Sequence, residues 1–327
     1  MTPDRLSRGK VQRVLAGAAG EGQRLDNFLL RMLAGVPRSR VYRLLRRGEV
    51  RVNGKRSKAD YRLAASDEVR LPPVHQAPDA ATVSRRPTDS LLASVRAAIV
   101  YEDARMLVLN KPAGLAVHGG SGLAFGAIEA LRALRPAEPL ELAHRLDRDT
   151  SGCLLVARDR PALRMLHALL REGRIEKRYA ALVAGRWRLG RKTIDAPVLT
   201  NARQAGERVV RVHAAGKTAI SRFTPRQAFR SLATLMDVAI DTGRTHQIRV
   251  HAAFAGHPVA GDDKYGDREF NRRMHALGLR RMFLHAAAVA FSWPDTKLPV
   301  EIAVELPDDL ASLLLRLPAA ASASVQA

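Results

Sequence analysis

The 327-residue chain carries 54 Lys and Arg against 32 Asp and Glu, a formal charge of +22 and a pI near 11.2. An excess of that size points to a polyanionic partner, nucleic acid before anionic membrane. A single cysteine, Cys153, excludes an internal disulfide framework, no Cys/His metal spacing occurs, and no apolar run approaches a membrane span. Met1 to Val14 is basic without the apolar core of a signal peptide, so a reducing, cytoplasmic setting is expected.

Residues 1–21, basic and rich in Gly and Ala, are expected to form a loose arm. From Gly22 the pattern tightens. Leu25, Phe28, Leu29, Met32 and Leu33 recur at helical spacing, and Pro37 ends that helix. Ser39 caps a second helix with Val41, Leu44 and Leu45 as its apolar stripe, and Gly48 stops it. Val50 to Arg56 reads as a strand, a tight Asn53-Gly54 turn and a return, and Asp67 to Leu71 as another short strand. Residues 37–56 hold eight Lys or Arg against one acid, Glu49, so the second helix must present a basic face to solvent. Arg38, Arg40, Arg43, Arg46, Arg47 and Lys55 are the expected RNA-docking residues. This αα-β arrangement, with its basic second helix and Asn-Gly-Lys turn, resembles the S4 RNA-binding domain over residues 22–73.

Residues 74–98 read as a polar, Pro-bearing linker with a short helix from Leu91 to Ala98. A second domain is expected over 99–318, and a disordered, low-complexity tail over 319–327. Two strands, Ile99 to Asp103 and Met106 to Leu109, lead to the turn Asn110-Lys111-Pro112-Ala113-Gly114. The loop Gly119-Gly120-Ser121-Gly122 lacks the Gly-Lys-Ser/Thr ending of a phosphate-binding loop. A helix over Ala127 to Leu134 precedes the most charged stretch of the chain, His144-Arg145-Leu146-Asp147-Arg148-Asp149-Thr150-Ser151-Gly152. The apolar run Cys153 to Ala157 follows it as a buried strand, with Cys153 a packing residue. After a helix from Pro161 to Gly173 come Lys177 to Val183 as a strand and four strand-like pieces: Thr193 to Val198, Arg208 to His213, Ala219 to Thr224 and Leu232 to Ile240. Thr242-Gly243-Arg244-Thr245-His246-Gln247-Ile248-Arg249-Val250-His251 opens a helix, Gly261 to Gly266 is a loop, Phe283 to Phe291 and Pro299 to Leu306 are strands, and Asp308 to Leu317 is a last helix. The pattern is α+β, built on a mainly antiparallel mixed sheet with flanking helices.

Four motifs thus fall in fixed order in one domain: Lys111-Pro112-Ala113-Gly114, His144 to Gly152, Lys177-Arg178-Tyr179, and Gly243 to His251. Together they resemble the RluA-type family of RNA pseudouridine synthases, whose hallmark is a His-Arg-Leu-Asp…Thr-Ser-Gly segment. Further wording, including Ala116 to Gly122 and Tyr265 to Phe270, is similar to the branch acting on 23S ribosomal RNA, where an N-terminal S4 domain also fits.

The resemblance implies an isomerase that breaks the N1–C1′ bond of uridine, turns the base and joins C5 to C1′. Neither redox chemistry nor a cofactor is required. It places on Asp147 the carboxylate that acts at the sugar, as nucleophile at C1′ or as the base of a glycal route. Arg249 would hold that carboxylate ionised, and Tyr179 would stack on uracil and help remove the C5 proton. Arg145 is expected to hold open the stack the flipped base has left. His144, Thr150, His246, Ile248 and Leu284 complete the expected substrate-binding set.

Asp149 reads as a cap or turn residue, and Asp262-Asp263 as a turn beside the site. His246 and His251 are five residues apart, off one helical face, so no metal is expected there. Two other functions compete. One is an RNA chaperone with an idle centre. The other is a glycosidase, which would need a second carboxylate, with Asp149 the nearest candidate. The expected partner is 23S ribosomal RNA or the pre-50S particle. No dimer seam is legible, so a monomer is expected.

Overall fold

A computed structural model describes residues 11–33, 36, 38–73, 86–119, 125–204 and 207–318. The first arm residues, most of the Gly119 to Gly122 loop, half of the expected linker and the expected tail lie outside them. The chain divides into two compact units, Met1–Arg85 and Arg86–Ala327. Residues 86–98 therefore belong to the second unit and not to a linker.

The first unit runs β1 (Gln12–Leu15), a helical turn α1 (Gly17–Gly20), α2 (Leu25–Met32), α3 (Arg38–Arg47), β2 (Arg51–Val52) and β3 (Glu68–Leu71). Its antiparallel sheet has the order β1-β3-β2. The expected loose arm is thus in part a strand: Gln12 to Leu15 pairs with β3, Val14 opposite Val69. Four residues with alternating burial on a sheet edge leave too short a hydrophobic signal to stand out from Gly and Ala. The Asn53-Gly54 turn has φ of 48° and 77°, both left-handed, and is closed by paired 2.9 Å hydrogen bonds between Val52 and Lys55. Leu25, Phe28, Leu29, Val41, Leu63 and Val69 fill the core beneath the two helices. Asp26 is buried there and held by Arg24 and the Tyr42 hydroxyl.

The second unit opens with α4 (Asp89–Ala97), β4 (Ile99–Glu102), β5 (Met106–Lys111), α5 (Ala127–Leu134), β6 (Glu141–Leu142), β7 (Ser151–Ala157), α6 (Arg160–Arg171) and β8 (Glu176–Ala184). It continues with β9 (Lys192–Asp195), β10 (Val198–Gln204), β11 (Glu207–Val212), β12 (Ile220–Phe229), β13 (Ala233–Ile240), α7 (Gln247–Phe254), α8 (Arg268–Ala276), β14 (Leu284–Ser292), β15 (Pro299–Ala303) and α9 (Asp308–Arg316). The large sheet has the order β4-β5-β7-β14-β8-β13-β12-β9, with β15 added to β14 and β6 to β7. β10 and β11 form a separate hairpin. Thr193 to Val198, expected as one strand, is therefore split between two sheets, and α8 was not legible in the sequence.

All pairings in the large sheet are antiparallel except β7 with β14. That parallel join is two residues long, Ser151 opposite His285 and Gly152 opposite Ala286. Gly152 has φ of +107°, and a Cβ there would sit 2.2 Å from the Ala286 carbonyl oxygen. Only glycine lets the two halves of the sheet meet at this point. β7 is buried along its whole length. Leu154 and Val156 face one core with Leu107, Leu131 and Tyr179, while Cys153 and Leu155 face another with Leu166 and Leu169 of α6. The charged stretch from His144 to Thr150 is thus carried at the entry of a wholly buried strand, where β7 meets β14.

Candidate active site

Asp147 sits in a tight loop stitched to β5. The Lys111 ammonium is fully buried and donates to the carbonyls of Arg148 (3.0 Å), Leu115 (2.8 Å) and Pro112 (2.9 Å). The Gly114 N–H reaches the same Arg148 carbonyl at 2.9 Å, and Thr150 N–H returns to the Asp147 carbonyl at 3.2 Å. Burial pulls Lys111 down to about 8, against the opposing charges of Asp149 and Asp147. The strand runs on to this lysine, two residues beyond the expected end.

Arg249 comes to Asp147 from α7. The entry to that helix is sewn down by Gln247, which is buried. Its Oε1 accepts from Thr242 Oγ1 (2.7 Å) and the Arg244 N–H (3.0 Å), and its Nε2 donates to the Ile220 carbonyl and Ser221 Oγ, both at 3.0 Å. His246 before it is left-handed, with φ of 54°. From this turn Arg249 Nη1 donates to Asp147 Oδ2 at 3.2 Å. Its other edge is bidentate on Asp262, Nε to Oδ2 at 2.7 Å and Nη2 to Oδ1 at 2.8 Å. Asp262 also accepts from the N–H groups of Lys264 (2.9 Å) and Tyr265 (3.0 Å). Burial opposes its charge, but Arg249 and the backbone donors outweigh it and hold the carboxyl below its ordinary range. Burial likewise works against the Arg249 charge, and Asp262 and then Asp147 more than offset it.

His246 Nε2 lies 3.8 Å from Asp147 Oδ2, and its Nδ1 is 2.8 Å from the Tyr265 hydroxyl. Burial lowers its pKa against the pull of Asp147. The Tyr265 hydroxyl accepts from Val210 N–H at 3.1 Å, tying the β10–β11 hairpin to the site, and Arg249 stacks 5.0 Å above the Tyr265 ring. On the facing wall, Tyr179 of β8 is buried, and burial and then Asp147 raise its pKa, so the phenol stays protonated at neutral pH.

One cavity gathers Arg145, Asp147, Thr150, Tyr179, His246, Ile248, Arg249 and Leu284. Of the expected site residues, His144 alone is elsewhere. Its Nε2 accepts from the Leu155 N–H at 3.0 Å, so the ring faces β7. Burial and then Lys177 push it down to about 4. A histidine opening a charged motif reads as a ligand to substrate, whereas here it pairs a strand N–H. Asp262, Tyr265 and Gln247 were not put forward from sequence. A buried carboxylate cannot be told from a turn aspartate without knowing that Arg249 reaches it. His251 is buried between Ser221 Oγ (3.0 Å) and the Ala196 carbonyl (2.9 Å), as a packing residue. Among the described residues no group of three His, Cys, Asp or Glu could hold a metal ion.

Of the expected docking residues, Arg43, Arg46, Arg47 and Lys55 are exposed and Arg40 is half-buried, while the Arg38 side chain lies outside the described residues. No described helix is long and apolar enough to cross a membrane.

Residues 105–254 match the RNA pseudouridylate synthase family and residues 23–69 match the S4 domain. The chain is 53% identical over 309 residues to the protein of Escherichia coli O157:H7 called ribosomal large subunit pseudouridine synthase C, covering 93% of this chain and 96% of that one. The Haemophilus ducreyi protein of the same name is 49% identical over 321 residues, 98% of this chain and 99% of that one. Among solved structures, human RNA pseudouridylate synthase domain containing 4 is similar at 25% identity and a TM-score of 0.58, over 70% of this chain and 95% of that one. Human RNA pseudouridylate synthase domain containing 1 is similar at 27% identity and a TM-score of 0.56, over 68% and 87%. With Asp147 and Arg249 paired inside the matched region, the chain belongs to the RluA-type RNA pseudouridine synthases that carry an S4 domain.

Proposed function

We propose that this protein converts specific uridines of 23S ribosomal RNA, free or in the pre-50S particle, to pseudouridine, acting as a cytoplasmic monomer with Asp147 as the reacting carboxylate. The observation that carries this reading is the Asp147 carboxylate, 3.2 Å from Arg249 Nη1 in a cavity walled by Tyr179 and Leu284. Arg249 donates a charge-assisted hydrogen bond to this carboxylate and aims it.

The target base enters the cavity flipped out, with Arg145, exposed at the rim, on the RNA side. Ile248 and Leu284 supply apolar walls, and Thr150 closes the cavity beside Asp147. Asp147 then acts at the ribose, either attacking C1′ or removing the C2′ proton to a glycal. Both routes free the uracil as an anion held beside the sugar. The base turns and C5 bonds to C1′ as the Asp147–C1′ ester bond breaks or, on the glycal route, as Asp147 returns its proton to C2′. The C5 proton is then lost and one is gained at N1, so atoms balance without a co-reactant. Tyr179 packs against the base and, being protonated, donates a hydrogen bond. Its role as resting proton acceptor is disfavoured by its raised pKa. His246, held towards its neutral form beside Asp147, is better suited to take the C5 proton.

A hydrolytic reading would need a second carboxylate to activate water. Asp149 is exposed and pairs with Arg148, and Asp262 is engaged by Arg249, which counts against it. The test is Asp147→Asn assayed on ribosomal RNA, with pseudouridine mapped in cells that have and lack the gene. Wild-type rates in the variant, or release of free uracil by the native protein, would remove the proposal. A primary isotope effect on C2′ deuteration marks the glycal route, and its absence marks direct attack.

A further inference from the structure

Directly behind Arg249 lies a second cavity, of about 370 Å³. Its walls are the residues following Asp147 (Arg148, Asp149), the turn Gly261 to Lys264, and Arg280 to Met282 ahead of β14. Five cationic side chains line it, Arg148, Arg249, Lys264, Arg280 and Arg281, against three carboxylates, Asp149, Asp262 and Asp263.

By formal charge the lining carries two more cations than carboxylates, with Asp263 counted among the latter and Arg249 also meeting Asp147. Asp262 is taken up by Arg249. Arg281 is engaged by Asp309 from outside the cavity and by Ser151 Oγ. Arg148 and Asp149 form a solvent-exposed pair at 3.3 Å, which water screens and a ligand can open at little cost. Arg280 donates Nη1 to the carbonyls of His275 (2.7 Å) and Leu279 (3.2 Å), which fix its guanidinium without neutralising it. Among the described residues no carboxylate forms an ion pair with it.

The walls are built to meet closely. Gly261 has φ of +70°, and a Cβ there would lie 2.4 Å from the Arg281 carbonyl oxygen. The turn carrying Asp263 and Lys264 can therefore rest on the Arg280–Arg281 segment only because residue 261 is glycine.

The position decides the ligand. A uridine in the catalytic cavity stays joined to a phosphate on each side of its ribose, and Asp147 must reach that ribose. The next two residues, Arg148 and Asp149, and the shared Arg249 form the adjoining wall. A phosphate one backbone linkage from a ribose at Asp147 is the substrate's nearest anion to this cavity, which shares Arg249 with the catalytic one.

We propose that the Arg148–Lys264–Arg280 cavity is a subsite for a backbone phosphodiester adjacent to the target uridine, holding the flipped nucleotide by its anion. The inference rests on the RNA-isomerase reading above. The subsite holds the backbone beside the catalytic cavity and reads no base, so its contribution is to affinity.

The test uses the full chain and a transcript of large-subunit ribosomal RNA. Arg280→Gln and Lys264→Gln each remove one charge from exposed positions. Each is expected to raise the RNA concentration for half-maximal rate roughly three- to tenfold, with the rate at saturation kept within about twofold. The slope of log affinity against log salt should fall by about one for Arg280→Gln and by no more than that for Lys264→Gln. Arg164→Gln, an exposed charge on α6 outside the cavity, should change neither. Equal loss in Arg164→Gln reduces the effect to net charge and overturns the subsite, as does an unchanged slope in Arg280→Gln. Binding of inorganic phosphate without any change in RNA affinity overturns it as well. A wild-type protein that binds this transcript with the expected slopes but makes no pseudouridine would fail the isomerase reading and leave the subsite standing.

Discussion

Arg249 gives two of its N–H groups to Asp262 and one to Asp147, so the carboxylate that holds the guanidinium is not the one exposed to substrate. Asp262 is completely buried at its side chain, whereas Asp147 keeps 18% exposure. The two aspartates should therefore respond differently to the same change. Asp262→Asn leaves Arg249 buried with half its compensation and should cost about 3–5 kcal/mol of stability along with activity. Urea unfolding measures it, and a loss under about 1 kcal/mol would show that Arg249 does not depend on this anchor.

Asp147→Asn should be the reverse case. Arg249 keeps its bidentate partner, so stability should stay within about 1 kcal/mol of wild type while pseudouridine formation is abolished. Ribosomal RNA affinity should be unchanged, because the S4 unit and the surrounding cations are untouched. An equally unstable Asp147→Asn would mean that Asp147, and not Asp262, carries the arginine.

Gly152 joins the two halves of the sheet, and its replacement tests whether the site depends on that join. Gly152→Ala meets the Ala286 carbonyl at 2.2 Å from a left-handed backbone, and should cost more than about 3 kcal/mol or prevent folding. Gly54→Ala, at φ of +77° with nothing within 4 Å, has backbone strain alone and should cost about 1 kcal/mol. Similar thermal midpoints for the two variants would show that the β7–β14 contact yields easily.

These contrasts mark what the sequence could show. Asp147, Tyr179 and Arg249 were readable because each stands in a long ordered motif, and they line one cavity. Asp262 was readable only as a turn, since its burial depends on an arginine reaching it from a helix that begins at Gln247. His144 misled because its place in a charged motif says nothing about which way the ring turns, and it turns to β7. In the fold, β7 was legible as an unbroken apolar run, while β1 was obscured by a four-residue length with alternating burial.

The basic face of α3 makes a prediction separable from catalysis. Arg43, Arg46 and Arg47 project into solvent while Val41, Leu44 and Leu45 hold the helix to its core. Changing all three arginines to Gln should lower the salt slope of RNA binding by about three and weaken affinity for any RNA alike. The rate at saturating RNA should be unaffected. A loss restricted to one RNA sequence would instead indicate base reading by this helix.

His144 supplies a pH dependence with a defined sign. Its ring nitrogen accepts the Leu155 N–H, so protonation breaks that bond, and the folded-state pKa is about 4 against 6.5 for the free side chain. With the folded value depressed, the unfolded chain binds the proton more tightly between these limits. The stability contributed by neutral His144 is fully present above about pH 6.5 and is lost as pH falls towards 4. Between pH 7 and pH 5 this group should cost the native protein about 2 kcal/mol. His144→Gln retains an acceptor oxygen for Leu155 and cannot be protonated, so its stability should fall by about 2 kcal/mol less over the same interval. Urea midpoints for both proteins at the two pH values give the difference directly. Parallel losses would show that His144 does not remain neutral on folding.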